Sequence, residues 1–304
     1  MKKAIIIGSI IVISAIIYFL IPSSDDDTES SINDIEVIKK TQNNYNISIL
    51  LDLSDRIDTN KYPNPTMQYY KRDLGYINSI ADAFKKHLSS KKIITINDRI
   101  QMFFDPAPAN PNINSMLKKL KIELNRKNIT KEKLYSIRQQ YKSIPPQIYK
   151  LTLNDNHYIG SDTWGFFKNK VSNYCIKENY RNILIILTDG YIYYKNNNFK
   201  EENKSTYITP IGIKNFGLNN SNWKEKMSER KCGFIKANSN LNNLEILVLG
   251  LNPSKKSNNP YELEVLKTYW GNWFDEMGIE KYEIKQTDLP SNLDEFIQNF
   301  ILDK

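Results

Sequence analysis

The chain has 304 residues, 40% hydrophobic and 25% charged, the composition of an ordinary globular protein, which excludes wholesale disorder. Its net charge of +8 comes from lysines spread along the chain, with only short pairs such as Lys85-Lys86 and Lys91-Lys92. That spread reads as a solvated surface and gives no nucleic-acid footprint.

Lys2 and Lys3 precede an uncharged run from Ala4 to Pro22, near the ~20 residues a membrane-spanning helix needs. The sequence after it, Pro22-Ser23-Ser24-Asp25, is a poor cleavage site, and no cysteine is close enough for a lipoprotein anchor. Residues 1–22 are expected to be an uncleaved signal anchor, the alternative being a cleaved signal peptide. The two lysines keep its start in the cytoplasm and leave the rest periplasmic or extracellular. Residues 23–43, acidic at Asp25-Asp26-Asp27 and without periodicity, read as a polar tether.

The domain starts near Asn44 and runs to 304. Ile47 to Leu51 is an apolar run cut off by Asp52-Leu53-Ser54-Asp55-Arg56, the pattern of a buried strand ending in a polar loop. Tyr62-Pro63-Asn64-Pro65 imposes an extended loop. Leu74, Ile77, Ala81, Phe84 and Leu88 then mark one face of a helix. Ile93 to Phe104 reads as one or two strands, with Asn97-Asp98 a candidate turn.

The stretch from about 106 to 155 looks like a helical insertion. It holds two short helices, the second capped by Thr130, which Pro145-Pro146 is expected to end. Thr163 stands before a helix over 164–178, whose stripe includes Trp164, Phe167, Val171 and Cys175. Asn182 to Leu187 is a second apolar strand, closed by Thr188-Asp189-Gly190. Residues 190–240 have little periodicity, apart from a hairpin arm at Tyr191 to Tyr194. Leu244 to Leu251 is a third apolar strand, 261–277 a helix with core tryptophans, 282–286 a last strand and 293–302 a last helix. Alternation of this kind implies an α/β fold, a doubly wound, mostly parallel sheet with helices on both faces.

Hard divalent cations such as Mg²⁺ take oxygen ligands. Asp52 and Ser54, two apart on a loop after a strand, can converge on one point, with Thr163 and Asp189 approaching from neighbouring elements. His87 and His157 are the only histidines and lie in no metal-type spacing. Cys175 and Cys232 fit no zinc pattern. In an exported domain they can form one disulfide, while the place of Cys175 on an apolar stripe suits a buried free thiol.

Asp52-x-Ser54, Thr163 at a helix start and Thr188-Asp189-Gly190 at a strand end together resemble the von Willebrand factor A domain and its metal-ion-dependent adhesion site. The resemblance implies Mg²⁺ or Mn²⁺ held by Asp52, Ser54 and Thr163, with Asp189 acting through water. Asp55, Asp162 and Gly190 then belong to the binding surface. It also implies a protein partner that completes the coordination with an acidic side chain, and no small-molecule cofactor. The sequence departs from the family where a second serine is expected: Arg56 stands there. Arginine has no acceptor and cannot be a ligand. It either supplies the positive charge itself, beside Asp52 or Asp189, or points to solvent. Asp55 and Asp58 are acids that can compensate.

The leading expectation is a membrane-tethered protein-binding module without enzymatic activity. The alternatives are a metal-free structural subunit of a membrane complex, and a metal-dependent hydrolase using Asp52, Asp55 and Asp189.

Overall fold

The computed structural model describes residues 44–155 and 160–303. The expected signal anchor and tether, 1–43, lie outside the described residues, and no described helix is long and apolar enough to cross a membrane.

The first half of the domain runs β1 (Tyr45–Leu51), α1 (Tyr69–Ser90), β2 (Asn97–Phe103), α2 (Pro111–Leu120), β3 (Ile122–Asn125) and α3 (Lys131–Asp155). Then come β4 (Gly160–Ser161), α4 (Thr163–Asn169), α5 (Val171–Tyr174) and β5 (Arg181–Leu187). A region of short pieces follows: β6 (Tyr193–Tyr194), β7 (Lys200–Glu201), β8 (Lys204–Ser205), α6 (Pro210–Asn215), α7 (Trp223–Glu229) and β9 (Gly233–Phe234). The chain closes with β10 (Leu244–Leu251), α8 (Glu262–Glu276), β11 (Lys281–Gln286) and α9 (Pro290–Leu302).

Among the described residues six strands form the central sheet, in the order β3-β2-β1-β5-β10-β11. All neighbours are parallel except β3, which runs antiparallel to β2. Every residue of β1 and β5 is buried, as befits strands covered on both sides. Along β5 the side chains divide between two cores. Ile183, Ile185 and Leu187 face the one built with α1, α2, α3 and α9. Leu184 and Ile186 face the one built with α4 to α8, where Trp270 and Trp273 are fully buried. Each such side chain contributes about 1.5–3 kcal/mol by leaving water.

The strand order reverses between β1 and β5. In open α/β sheets the carboxyl ends of the strands at such a switch point form the crevice where ligands bind. Asp52 follows β1 and Thr188-Asp189 follow β5, so both polar clusters arrive there together.

Several local readings need correction. The helix 131–155 continues through Pro145-Pro146. The prolines remove the donors that would face the carbonyls of Tyr141 and Lys142, but Ile144, Ile148 and Tyr149 are buried around them and hold the helix in place. Asn97-Asp98 opens β2 and makes no turn, a 3-10 turn at Ile93–Thr95 preceding it. The stretch expected to be purely helical contains the edge strand β3. The helix expected over 164–178 is two helices, broken at Lys170. Cys175 and Cys232 are both free and buried.

Candidate functional site

The loop after β1 is shaped by Asp52. Its backbone N–H donates to Leu187 O (3.0 Å), which ties the ends of β1 and β5. Its carboxylate accepts from Ser54 N at 2.8 Å through Oδ1 and from the Thr188 hydroxyl at 3.1 Å through Oδ2. The first of these is an Asx turn. It throws the chain into the 3-10 turn Asp55–Ile57 and brings Arg56 back beneath the strand ends.

Arg56 is 5% exposed. Its Nε donates to Asp52 O (3.2 Å) and its Nη2 to Leu187 O (3.1 Å) and Asp73 Oδ2 (2.6 Å). Nε also lies 3.7 Å from Asp52 Oδ2. One guanidinium thus holds the carbonyls of two strands and a carboxylate on α1. Asp73 Oδ2 takes a second bond from the Tyr149 hydroxyl of α3 (2.7 Å). Burial pushes the Tyr149 hydroxyl well above the usual tyrosine range, as do Asp73 and Asp52, so it stays a donor. Despite the cost of burying a guanidinium, Asp73 and Asp52 leave Arg56 more firmly protonated than in water.

Asp189 is half-buried. Its Oδ1 accepts from Tyr191 N (3.0 Å), and its carbonyl accepts from Asn252 N (2.9 Å) at the end of β10. Burial and the nearby charge of Asp52 push its carboxyl up to about 7, against the pull of Arg56. Asp52 is also raised by burial, with Arg56 and its hydrogen-bond donors opposing. The strand end beside them needs glycine. Gly250 has φ +103° at a register shift in β10, and a Cβ there would meet Thr188 O at 2.9 Å.

The other expected site residues fall around this floor. Ser54 is half-buried and lines the opening above it. Thr163 is buried at the start of α4, 3.2 Å from the Ser161 hydroxyl. Asp162 caps that helix through Gly165 N (2.9 Å) and also accepts from Asn197 (2.7 Å). Asp55 pairs with Lys61 (3.3 Å) at the rim. Asp58 accepts from Asn60 and Lys61 backbone N–H groups in a turn of its own. Gly190 is buried at φ +98°, its carbonyl held by Trp270 Nε1 (2.9 Å), and so shapes the turn from beneath the surface.

Above the floor opens a cleft of about 970 Å³, which Ser54, Asp55, Arg56, Ser161 and Asp189 help to line. Tyr62, Tyr191 and Tyr193 form part of its walls. The Tyr191 hydroxyl donates to Glu262 Oε1 (2.6 Å) and accepts from Ser254 N (2.9 Å). Glu262, 1% exposed in the first turn of α8, also receives the Ser257 hydroxyl. A buried carboxylate thus fixes the loop between β10 and α8.

As arranged, the expected donors do not converge on one point as the ligands of a hard divalent cation do. Both oxygens of Asp52 are engaged, the Thr163 hydroxyl is turned to Ser161, and a full positive charge already stands beside Asp52. Among the described residues no three His, Cys, Asp or Glu side chains converge as a metal would require.

Sequence reasoning missed Asp73, Tyr149, Ser161 and Glu262. Asp73 had a signal: it stands four residues before Ile77, on the buried side of α1, where a carboxylate needs a partner.

No family model matches the chain, and no curated protein matches it. Among solved structures it is similar to the pilus adhesin SpaC from Lactobacillus rhamnosus GG. The TM-score is 0.40 at 10% identity, over 86% of this chain and 30% of that one. The open conformation of that adhesin gives a TM-score of 0.38 at 11% identity, with the same coverage. Proximal thread matrix protein 1 from the mussel byssus gives 0.34 at 11% identity, over 86% of this chain and 47% of that one. The chain spans under half the length of these structures.

Proposed function

We propose that this chain is a membrane-tethered, von Willebrand factor A-like module that binds another protein at the carboxyl edge of its sheet, with Arg56 standing in for a divalent cation. The observation that carries this reading is the buried Arg56 guanidinium. It occupies the switch point between β1 and β5, bonded to Asp73 and to the carbonyls of Asp52 and Leu187. A metal's part in such a site is to neutralise the carboxylates at the strand ends and fix the loop above them. Arg56 offsets the charge of Asp52 and fixes the loop through the carbonyls of Asp52 and Leu187, without dissociating.

The cleft above supports binding as the task. Its floor is already satisfied internally, and its walls are fixed tyrosines; neither histidine nor a reactive thiol stands among its lining. The tether reading rests on the apolar run Ala4 to Pro22. It places the domain outside the membrane whose cytoplasmic face carries Lys2 and Lys3.

The test is partner capture by the membrane-extracted full chain, compared with Ser54→Arg and Asp189→Ala, two changes on the cleft floor. Both variants should lose the partner while keeping the wild-type circular dichroism spectrum. Undiminished capture by both contradicts a binding role for this edge.

A further inference from the structure

We infer that the amino edge of the sheet rests on the anionic lipid surface of the membrane: Ile93 and Ile94 dip into the bilayer interface, and Lys92, Arg126 and Lys127 meet the headgroups. This rests on the tether reading above and is independent of what the cleft binds.

The parallel strands start at this edge, opposite the cleft. β1 is seven residues long, so the two edges stand about 20 Å apart. The described domain also begins here, because Asn44 leads directly into β1. The joint is braced. Lys91 donates to Asn44 Oδ1 (2.8 Å) and to Asp98 Oδ2 (2.7 Å). Asp98 Oδ1 accepts from Tyr45 N (2.6 Å) and lies 2.8 Å from His87 Nε2. The turn between α1 and β2 is thereby fixed to the start of β1. A tether entering at Asn44 holds the domain by this edge, where even a weak contact with lipid is favoured by proximity. It leaves the cleft on the opposite edge, free for a partner.

The turn between α1 and β2 carries Ile93 and Ile94, 64% and 75% exposed. Single exposed apolar side chains are ordinary, but these two are adjacent, on a turn whose backbone bonds to itself. Thr95 N donates to Lys92 O (2.9 Å) and Ile96 N to Ile93 O (3.2 Å). A segment whose donors are already occupied loses less on approaching hydrocarbon. The charge around it has one sign. Asn125 at the end of β3 pairs with Asn97 at the start of β2, which brings the exposed Arg126 and Lys127 to the same edge as the exposed Lys92. Among the described residues no carboxylate pairs with these three, whereas Asp98 and Glu123 are matched by Lys91 and Lys121. Glu132 bonds to Thr130 at the start of α3. At the β10–β11 end of the edge the charges are balanced, Arg181 and Lys281 sharing Glu245 and Asp303.

This combination favours lipid over protein. Protein-binding patches are depleted in lysine, and a standard one buries about 800 Å² a side, far more than two isoleucines offer. A small apolar tip beside Lys and Arg suits an anionic bilayer, where buried apolar area and electrostatic attraction add.

The experiment reconstitutes the full chain in vesicles of equal parts phosphatidylglycerol and phosphatidylcholine, with an NBD fluorophore on Ile94→Cys. The control site is Ile211→Cys on α6, where the isoleucine is 72% exposed. Cys175 and Cys232 are buried, and wild type treated with the same reagent measures any label they take. A doxyl-lipid quencher should dim the Ile94 probe by about twofold or more and the Ile211 probe by less than about a tenth, since an interfacial contact reaches only ~5–10 Å into the bilayer. Lys92→Glu/Arg126→Glu/Lys127→Glu should abolish the quenching at Ile94, as should vesicles of phosphatidylcholine alone. Lys195→Glu/Lys255→Glu/Lys256→Glu, an equal reversal at exposed residues lining the cleft, should leave it unchanged. An unquenched Ile94 probe on protein that floats with the vesicles and survives a carbonate wash overturns this inference alone and leaves the tether standing. So does a probe shielded from aqueous iodide but untouched by the lipid quencher, which marks a protein or a second copy on the patch. Equal quenching at Ile211, or quenching indifferent to lipid charge and to the reversal, also overturns it. Protein stripped from the vesicles by carbonate refutes the tether, and this inference with it.

Discussion

Arg56 and Asp73 meet at 2.6 Å beneath the sheet edge, 5% and 2% exposed, although 17 positions separate them in the chain. Their contact joins the loop after β1 to α1. Through Tyr149 on the same Asp73 oxygen it reaches α3 as well.

Removing one partner of a buried ion pair leaves the other charge stranded, at a cost of about 3–5 kcal/mol. Asp73→Leu should therefore lower unfolding free energy in urea by about that amount, and the Arg56→Met/Asp73→Leu double variant should recover much of it. Additive losses in the double variant would show that the two residues act separately.

Asp189 makes stability depend on pH. Its folded pKa of about 7 lies above the ordinary 3.8, so between about pH 4 and pH 7 the folded state holds a proton that the unfolded state has lost. Its contribution therefore falls as pH rises through that window. Asp189→Asn keeps an acceptor for Tyr191 N and removes the titration. Its Tm should exceed that of wild type by more at pH 8 than at pH 5, by a few degrees only, since the half-exposed group is partly screened. An equal offset at both pH values contradicts the assigned shift.

The thiols should be inert in the folded protein. Burial pushes Cys175 up to about 12, and Cys232 is raised as well; the reactive thiolate is therefore scarce at neutral pH. Iodoacetamide at pH 7.5 should modify neither in the native state and both in guanidinium. Failure of the unfolded, unreduced chain to take two labels would reveal a disulfide and contradict the free thiols.

The topology reading is checked in spheroplasts. Added protease should degrade the domain, while untreated protein fractionates with membranes. Protection from protease places the domain on the cytoplasmic side and removes the proposed class of partner.

How far the residues announce this fold differs from element to element. β1, β5 and β10 are legible because central parallel strands are covered on both faces, which forces unbroken apolar runs such as Ile183 to Leu187. β3 is not: Ile122-Glu123-Leu124-Asn125 is four residues long and becomes a strand only because β2 offers an edge. The same tertiary context overrides Pro145-Pro146. Between 190 and 240 β6 pairs with β4 and β9 with β8, both distant in sequence, and the local pair β7-β8 has only two residues a strand, too few to carry a period. At the site, Asp52, Ser54 and Asp189 are legible because strand ends in such sheets converge. Thr163 was located correctly at a helix start, but its hydroxyl is turned to Ser161. The decisive partner of Arg56 was not legible: Asp73 sits inside a helix, and only the fold brings it under the loop.

Whether Arg56 has replaced the cation shows in the response of the folded state to metal. A ligand that binds only the native state stabilises it by RT ln(1 + [L]/Kd), about 2.7 kcal/mol at a hundredfold excess over Kd. The decisive measurement is a thermal melt of the wild-type protein with EDTA and with excess Mg²⁺ or Mn²⁺, repeated on Arg56→Ser, which restores a hydroxyl where the resembled family has one. We predict coincident wild-type melts, and a variant that is less stable in EDTA and recovers when the cation is added. A wild type whose Tm rises with Mg²⁺ or Mn²⁺ would contradict the built-in cation.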